Sequence, residues 1–357
     1  MKHRNLQIEL LRILAMFMIV LGHAFTYGHA LENFGGGKIT FALILLIKTC
    51  TIPGTDIFVL ISGYFLINTK PSVKRILTVW IQILFYSLGI YLVLAVTGLE
   101  SFSIVELIKH SLPVAFNKYW FMRVYFYLLL CAPFLNILLH SLSEKGHRVL
   151  IFLGVLLMVI PASIPVISVF NKEAGNGILW FMLLYVTGAY FSKHPPKRKV
   201  HVYFVVAALM IFFAWASRIG IDFISAKLGF DGMESSRFST FDSFPIYLFS
   251  VCMLCAAICY KKREQSANGV VLFFSGSTAG IYMIHEHPLV RSLLWGKLQL
   301  ADADLWTVFL SGFLIYILAA IVDNLTWKQI SKIVNRINTE RIDRSIHGIE
   351  ELMSGKQ

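Results

Sequence analysis

The sequence predicts an all-α, polytopic integral membrane protein with about ten transmembrane helices and both termini in the cytoplasm. Hydrophobic residues make up 57% of the 357-residue chain, charged residues make up 15%, and the mean hydropathy is +0.70. The apolar residues occur in runs of about twenty, which is the length that a helix needs to cross a bilayer. Spans and short connections use nearly all of the chain, so we expect no separate soluble domain.

The placement of lysine and arginine predicts the orientation. Most of these 32 residues lie in alternate connections, on the same side of the membrane as both ends of the chain. Because cytoplasmic loops carry an excess of Lys and Arg, both termini are placed in the cytoplasm. The net charge of +12 is therefore interpreted as a sign of membrane topology, and no nucleic-acid partner is predicted.

The predicted transmembrane domain covers residues 4–325, and residues 326–357 form a basic cytoplasmic tail. Apolar residues recur at helical spacing at the start of this tail, which predicts an amphipathic helix on the anionic inner leaflet. The spans are placed near residues 7–27, 41–67, 76–97, 119–139, 149–169, 177–192, 201–217, 243–260, 270–288 and 305–325.

The first span contains three groups that are costly in hydrocarbon, namely Glu9, Arg12 and His23. At about 100° per residue, the eleven steps from Arg12 to His23 return to nearly the same helix face, about 16 Å further along the axis. Ionisable groups at such depths face a cavity or a partner helix and are candidates for function. The alternative is structural: Glu9 and Arg12 form an interfacial ion pair, and His23 binds a neighbouring helix.

The second span is too long for one plain helix. Pro53 and Gly54 predict a break or a kink, and Asp56 follows directly. A broken helix with an acidic residue at mid-depth is typical of a cavity wall, although Asp56 capping the lower half fits equally well. Gly63, in the run Ser-Gly-Tyr, allows another helix to approach closely.

Connections on the predicted outer side carry further signals. Ser103 and Glu106 form a capping-box pattern, which predicts a short helix at the outer surface within residues 98–118. The connection at about 218–242, the longest on this side, mixes charged and aromatic residues. Such a composition suits a carbohydrate-binding surface as well as an ordinary solvated loop.

Aromatic residues begin two of the later spans. Tyr119 and Trp120 lead into the fourth span with Arg123 one turn deeper, and Trp180 lies at the start of the sixth. Aromatic belts at membrane interfaces are usually structural. An arginine at the depth of Arg123 is harder to explain in that way, because charge inside a membrane is costly.

The ninth span delivers His285, Glu286 and His287 to the same level as His23. Three imidazoles near one membrane face raise the possibility of a metal site. However, His285 and His287 are two residues apart and lie on opposed sides of a helix, so shared ligation requires the helix to unwind before Pro288. No metal is predicted.

Taken together, five stretches of the chain resemble the acyltransferase-3 family of bacterial integral-membrane acyltransferases, over about residues 4–325. The resemblance implies about ten helices and transfer of an acyl group, commonly acetyl from cytoplasmic acetyl-CoA. The implied acceptor is a hydroxyl on a surface polysaccharide or lipid-linked glycan, and the implied location is the bacterial inner membrane. The five stretches are Arg12-x10-His23, GTDIFVLISGYFL, YWFMRVYFYLLLCAPFLN, GILWFMLLYVTGAYF and GIYMIHEHPLVRSLLW.

The resemblance assigns catalytic importance to Arg12 and His23. Depth alone adds His285 and Glu286 as further catalytic candidates. In this hypothesis Arg12 binds a phosphate or the pantetheine arm, and His23 deprotonates the acceptor hydroxyl. A covalent acyl-histidine is a variant. The predicted substrate-binding residues are Glu9, Asp56, Tyr119, Trp120, Arg123 and Trp180.

Two roles remain open between pairs of residues. Either Glu286 or Asp56 orients the imidazole of His23, and either His285 or Arg123 stabilises the oxyanion. The predicted partners are acyl-CoA as co-substrate, the glycan acceptor and membrane lipids, with no bound cofactor. A polysaccharide exporter is the alternative function, since broken spans and intramembrane charges also suit a transporter. Consumption of acetyl-CoA distinguishes the acyltransferase from the exporter, because a transporter should not consume it.

Overall fold

A computed structural model describes residues 5–33, 37–70, 72–164, 175–228, 234–260, 267–337 and 339. All regular elements in these ranges are helices, so the all-α prediction is confirmed. Two described apolar segments are shorter than a typical membrane span, namely Ile178–Lys193 and the helix pair between residues 269 and 285. The described segments that are long and apolar enough to cross a membrane are Leu6–Thr26, Lys38–Leu66, Val73–Val96, Trp120–Ser141, Glu144–Ser163, Val200–Leu228, Arg237–Cys259 and Leu305–Val334.

The first two predicted spans form three helices. Helix α1 covers Leu6–Thr26 and begins at Asn5, whose side chain accepts hydrogen bonds from two backbone N–H groups of the first turn. Helices α2 (Lys38–Thr51) and α3 (Gly54–Leu66) are separated at Pro53. The predicted break is confirmed, because proline lacks the N–H that a continuous helix needs.

The next three helices are α4 (Val73–Val96), α5 (Ile104–Ser111) and α6 (Trp120–Ser141). The short helix predicted within residues 98–118 is therefore confirmed as α5. The hydroxyl of Tyr91 on α4 fixes the start of α5. This hydroxyl accepts from the backbone N of Ser103 at 2.7 Å and donates to the backbone carbonyl of Ser103 at 2.9 Å.

Only half of the predicted capping box forms at α5. Ser103 Oγ accepts from the backbone N of Glu106 at 3.5 Å. The carboxylate of Glu106 turns outward instead and accepts from Lys109 at 2.6 Å and from Lys118 at 2.9 Å. These hydrogen bonds lower the pKa of Glu106 to about 2. The backbone N of Ser103 already has the Tyr91 hydroxyl as partner, so it does not need this carboxylate.

The fifth span begins earlier than predicted. Helix α7 (Glu144–Gly154) starts where Ser143 Oγ accepts from the backbone N of Gly146 at 3.1 Å. A π-helical turn follows at Val155–Val159, and α8 covers Ile160–Ser163. The predicted end of this span, at residues 165–169, lies outside the described part of the chain. Helix α9 covers Ile178–Lys193.

Helix α10 covers Val200–Leu228, so the predicted loop at 218–242 is wrong over its first eleven residues. The charges of Arg218, Asp222 and Lys227 lower the hydropathy, but charged residues do not end a helix. The segment contains no proline, and Trp215 Nε1 on α10 donates to the carbonyl of Ala42 on α2 at 2.7 Å. Residues 229–233 of the predicted loop lie outside the described residues.

The remaining helices are α11 (Phe244–Cys259), α12 (Gly269–Ser275), α13 (Thr278–His285), α14 (Pro288–Leu298), α15 (Leu305–Leu325) and α16 (Trp327–Val334). The predicted ninth span is therefore two helices with a break at residues 276–277. Polar groups from α15 and α16 support the break, because Asn324 Nδ2 donates to Ser277 Oγ at 2.8 Å and Lys328 Nζ donates to the carbonyl of Phe273 at 3.1 Å.

The described start of the predicted tail is helical, as α16. Its attachment to the inner leaflet stays a prediction, and residues 338 and 340–357 lie outside the described part of the chain.

Helices α1, α3, α9 and α11 supply much of the buried core. Two glycines allow α3 and α9 to touch along their backbones. A Cβ on Gly63 would lie 2.1 Å from the carbonyl oxygen of Tyr185, and a Cβ on Gly188 would lie 2.0 Å from that of Leu60. The close approach predicted at Gly63 is therefore present, and it brings two buried helices together.

Replacing Gly63 or Gly188 by alanine is expected to destabilise the protein by about 1–3 kcal/mol or more, the cost of overpacking a core. The contact is with backbone oxygen, so no side-chain rotation relieves it. Gly89→Ala on α4 is the control, because a Cβ at this position would meet no described atom within 4 Å. Thermal unfolding in detergent measures the difference. Equal midpoints for Gly63→Ala, Gly188→Ala and Gly89→Ala would contradict the close crossing.

Candidate active site

The candidate site lies where the end of α1 meets the end of α13. His23 is in the last turn of α1, and His285 is the last residue of α13. A cavity of about 870 Å³ opens beside His23. Its lining residues come from α1, α2, α3, α6, α10 and α13 and from the connections between helices: Ile19, Gly22, His23, Phe25, Thr26, Tyr27, Lys48, Thr51, Ile52, Thr55, Asn117, Trp120, Arg123, Asn176, Arg218, Phe241 and Tyr282.

One ring nitrogen of His23 faces two buried partners. Its Nδ1 lies 2.9 Å from Nε2 of His285 and 3.2 Å from Oε2 of Glu286. Both partners are almost fully buried, with 1% and 2% of their surfaces exposed, whereas His23 is part of the cavity wall. The protein therefore holds Nδ1 of the His23 imidazole at the border of the cavity.

The hydrogen bonds determine which nitrogens carry protons. His285 Nδ1 lies 2.6 Å from the carbonyl oxygen of Ile281, and a carbonyl only accepts, so this nitrogen donates. In a neutral His285 the Nε2 is then an acceptor, and His23 Nδ1 donates to it. A neutral His23 with a proton on Nδ1 carries its lone pair on Nε2, which is the form that a general base requires.

The carboxylate of Glu286 is fixed by two further groups. Arg291 donates to Oε1 at 3.0 Å and the hydroxyl of Tyr27 donates to the same atom at 3.3 Å. The guanidinium of Arg291 also lies 4.4 Å from the ring centroid of Tyr27. Within the described residues Oε2 makes no hydrogen bond. It is therefore free to stabilise a positive charge that develops on His23.

The comparison with known families decides the assignment of the chain. A family model described as an acyltransferase domain, that of the acyltransferase-3 family, matches residues 5–323. The chain belongs to the acyltransferase-3 family. Neither a curated protein nor a solved structure matches the chain at a significant level. Family membership and the apolar helices together make this chain a multi-pass membrane acyltransferase.

Within this acyltransferase, His287 turns away from His23. Its Nε2 donates to the carbonyl of Ser87 at 3.2 Å, and its Nδ1 accepts from the backbone N of Leu289 at 3.3 Å. Its ring also stacks on His110 with centroids 5.0 Å apart. Although the helix does unwind before Pro288, the three imidazoles do not converge. In the described ranges no group of three His, Cys, Asp or Glu residues is arranged to hold a metal.

We expect His287 to act as a positioning residue for the neighbouring Glu286. Replacing it by asparagine keeps an N-cap acceptor for α14 but removes the donor to Ser87. We expect His287→Asn to lower kcat of acyl transfer about tenfold while changing KM little, because the carboxylate shifts relative to His23. The kinetics of the purified acyltransferase measure this effect. His201→Asn, at an exposed position on α10, is the control. Equal kcat values for the two variants would contradict the positioning role.

Arg12 lies apart from the cavity, about 16 Å from His23 along the helix axis. Its guanidinium lies 3.6 Å from Glu9 and 5.4 Å from the ring centroid of Phe65. The ion pair that the spacing allows is therefore present. About a quarter of the Arg12 side chain is exposed, at 27%, so it remains accessible at its own end of the helix.

The other predicted substrate-binding residues fall into two groups. Trp120 and Arg123 line the cavity, whereas Tyr119 does not belong to its lining. Asp56 and Trp180 bind each other away from the imidazole, since Trp180 Nε1 donates to Asp56 Oδ1 at 3.1 Å. Asp56 is therefore placed to tie α3 to α9. Of the two carboxylates considered as partners of the imidazole, only Glu286 reaches it.

Five residues of the candidate site did not emerge as candidates from the sequence. Tyr27 follows His23 at i+4, a spacing that places both on one helix face. Arg291 lies in the motif that continues past Pro288, which was a usable signal. Lys48, Arg218 and Tyr282 come together only through packing between helices, so their arrangement had no local signal.

Proposed function

We propose that the protein transfers an acyl group, acetyl in the simplest case, from cytoplasmic acyl-CoA to a hydroxyl of an extracytoplasmic surface polysaccharide or lipid-linked glycan. The proposed location is the inner membrane of a bacterium. The observation that supports this most strongly is the geometry of His23. Its Nδ1 faces His285 and Glu286, while the residue borders an open cavity.

In the proposed reaction His23 Nε2 accepts the proton of the acceptor hydroxyl as its oxygen attacks the thioester carbonyl. The new C–O bond forms and the C–S bond breaks. The proton passes from His23 to the departing thiolate, which gives an ester and free coenzyme A. While the proton resides on His23, the carboxylate of Glu286 stabilises the imidazolium at 3.2 Å.

The structure favours an orienting role for His285. Its single N–H in the neutral form is used on the carbonyl of Ile281, which leaves no donor for an oxyanion. Arg123 lines the cavity, and its buried Nε has no hydrogen-bond partner among the described residues. Arg123 is therefore our proposed oxyanion donor.

Arg12 and His23 lie at different depths of one helix, which suits a reaction between substrates from opposite sides of the membrane. We assign Arg12 to a phosphate or the pantetheine arm of acyl-CoA, through charge-assisted hydrogen bonds. Glu9 beside it holds the guanidinium in place at 3.6 Å. The acyl group would then extend toward His23, where the glycan hydroxyl arrives from the other side.

Analysis of ester-linked acyl groups on the cell-surface glycan tests this function. A deletion strain is complemented with the wild-type protein, with His23→Ala, or with His201→Ala as a matched exposed histidine. We expect the ester to disappear on deletion and to return with the wild type and His201→Ala but not with His23→Ala. Unchanged acylation with glycan retained inside the cell would overturn the proposal in favour of an exporter.

A further inference from the structure

The cavity beside His23 has a cationic wall, which consists of Lys48 from α2, Arg123 from α6 and Arg218 from α10. Among the described residues that line the cavity, none is an aspartate or a glutamate. Like charges repel more strongly near low-dielectric surroundings than in water. Three cations around one cavity therefore repel one another. An anionic ligand that enters between them relieves this repulsion and is stabilised there.

Helix packing brings two of these cations together. Trp215 on α10 donates to the carbonyl of Ala42 on α2 at 2.7 Å, and Arg218 lies one turn beyond Trp215 on the same helix face. Lys48 and Arg218 both line the cavity. Lys48 Nζ also lies 5.6 Å from the ring centroid of Phe25, another lining residue. The fold thus holds both cations at the cavity.

Two carboxylates near this wall pair with other groups, so they do not neutralise its positive charge. Glu32, in the connection that follows α1, is exposed and lies 3.0 Å from His29. Glu286 lies 3.0 Å from Arg291 and faces His23 rather than the wall. The buried Nε of Arg123 has no hydrogen-bond partner in the described part of the chain.

We propose that the cationic wall binds an anionic oxygen group, a carboxylate or a phosphate, carried by the substrate that reacts at His23. This inference rests on the proposed function and narrows its substrate class. Guanidinium groups match carboxylate and phosphate oxygens in a planar, two-bond geometry, and the lysine adds a point charge. The acceptor glycan, the acyl group and coenzyme A are the three sources of such an anion.

Ligand titrations test the charge preference. The full chain in nanodiscs of zwitterionic lipid is titrated with glucose, glucuronate and glucose 1-phosphate, and tryptophan fluorescence is followed because Trp120 lines the cavity. Coenzyme A is titrated separately. The test variant is Lys48→Gln/Arg218→Gln, and the control is Lys227→Gln, which removes an exposed cation from the same helix α10.

We expect at least one anionic ligand to bind and glucose to bind much more weakly. The double variant should weaken anion binding at least about tenfold, which corresponds to 1.4 kcal/mol, while Lys227→Gln should match the wild type. Equal affinity for glucose and its two charged analogues, with both coenzyme A binding and succinyl-CoA turnover unaffected by the double variant, would overturn the inference.

Turnover with acetyl-CoA and succinyl-CoA identifies the source of the anion. A loss confined to succinyl-CoA in the double variant places the anion on the acyl group. Weaker binding of coenzyme A places it on the coenzyme, and weaker binding of the charged sugars alone places it on the acceptor. If acyl transfer depends on His23 but none of these binding and turnover measurements depends on Lys48 and Arg218, the anion site is refuted and the proposed function stands. If anions bind but no acyl group is transferred, the proposed function fails and the anion site stands.

Discussion

Replacing His23 by alanine is expected to lower kcat of acyl transfer by about 10²–10⁴-fold, the range that a positioned general base contributes. The substitution removes the only atom that the proposed reaction uses to accept the hydroxyl proton. It also leaves His285 and Glu286 in place, because Ile281 and Arg291 hold them independently. Acyl transfer from acyl-CoA by the purified protein measures the fall in kcat.

His201→Ala is the matched control for this prediction, since it removes an exposed histidine from α10. The unfolding midpoint of each variant shows whether the protein remains folded. A well-folded His23→Ala protein with wild-type kcat would mean that the acceptor proton leaves by another route, and the proposed mechanism would be wrong.

Replacing Glu286 by glutamine is expected to lower kcat by about 10²-fold or more, as observed when one preorganised electrostatic contact is removed from an active site. Glutamine keeps the shape of the side chain but removes the charge that stabilises the imidazolium. If its amide N–H₂ faces His23 Nδ1, it also favours the tautomer with the proton on Nε2, which cannot act as a base.

The kinetic pattern distinguishes this role from simple substrate binding. We expect kcat to fall while KM changes little, because the carboxylate acts on the charge that develops during reaction. Glu234→Gln is the control, since Glu234 is exposed and pairs with Arg237 at 3.7 Å. A raised KM with an unchanged kcat would assign Glu286 to substrate binding instead.

The first helix shows how much of the site is accessible from sequence. The eleven-residue spacing of Arg12 and His23 predicts a shared face, and the cost of charge in a membrane marks both as functional candidates. The depth of residues 285 and 286 in the ninth span then suggests that they reach the level of His23. These predictions need only helix geometry and span order, both of which are local properties.

Local sequence patterns did not predict whether Glu286 or Asp56 is the carboxylate that faces the His23 imidazole. Depth does not determine how each helix is rotated about its axis. In the structure Asp56 faces Trp180 across α3 and α9, whereas Glu286, which directly follows α13, faces His23 on α1. This rotation depends on packing between segments far apart in the chain, as does the meeting of Lys48 and Arg218.

The error at α10 has a different cause. A hydropathy pattern predicts where an apolar run ends, and Arg218 is the first Asp, Glu, Lys or Arg after the start of this helix. The helix nevertheless continues to Leu228, since backbone hydrogen bonds continue in water when no proline or strong cap interrupts them. The distinction matters because this extension carries Arg218 into the cavity wall.

The most direct test of the central claim is ester formation by the purified protein. Vesicles that contain the protein and lipid-linked or surface glycan extracted from the source cells receive acetyl-CoA labelled in its acetyl group. We expect labelled ester to appear on the glycan in step with free coenzyme A, and His23→Ala to abolish both. Movement of glycan across the vesicle membrane with no consumption of thioester would contradict it and identify an exporter.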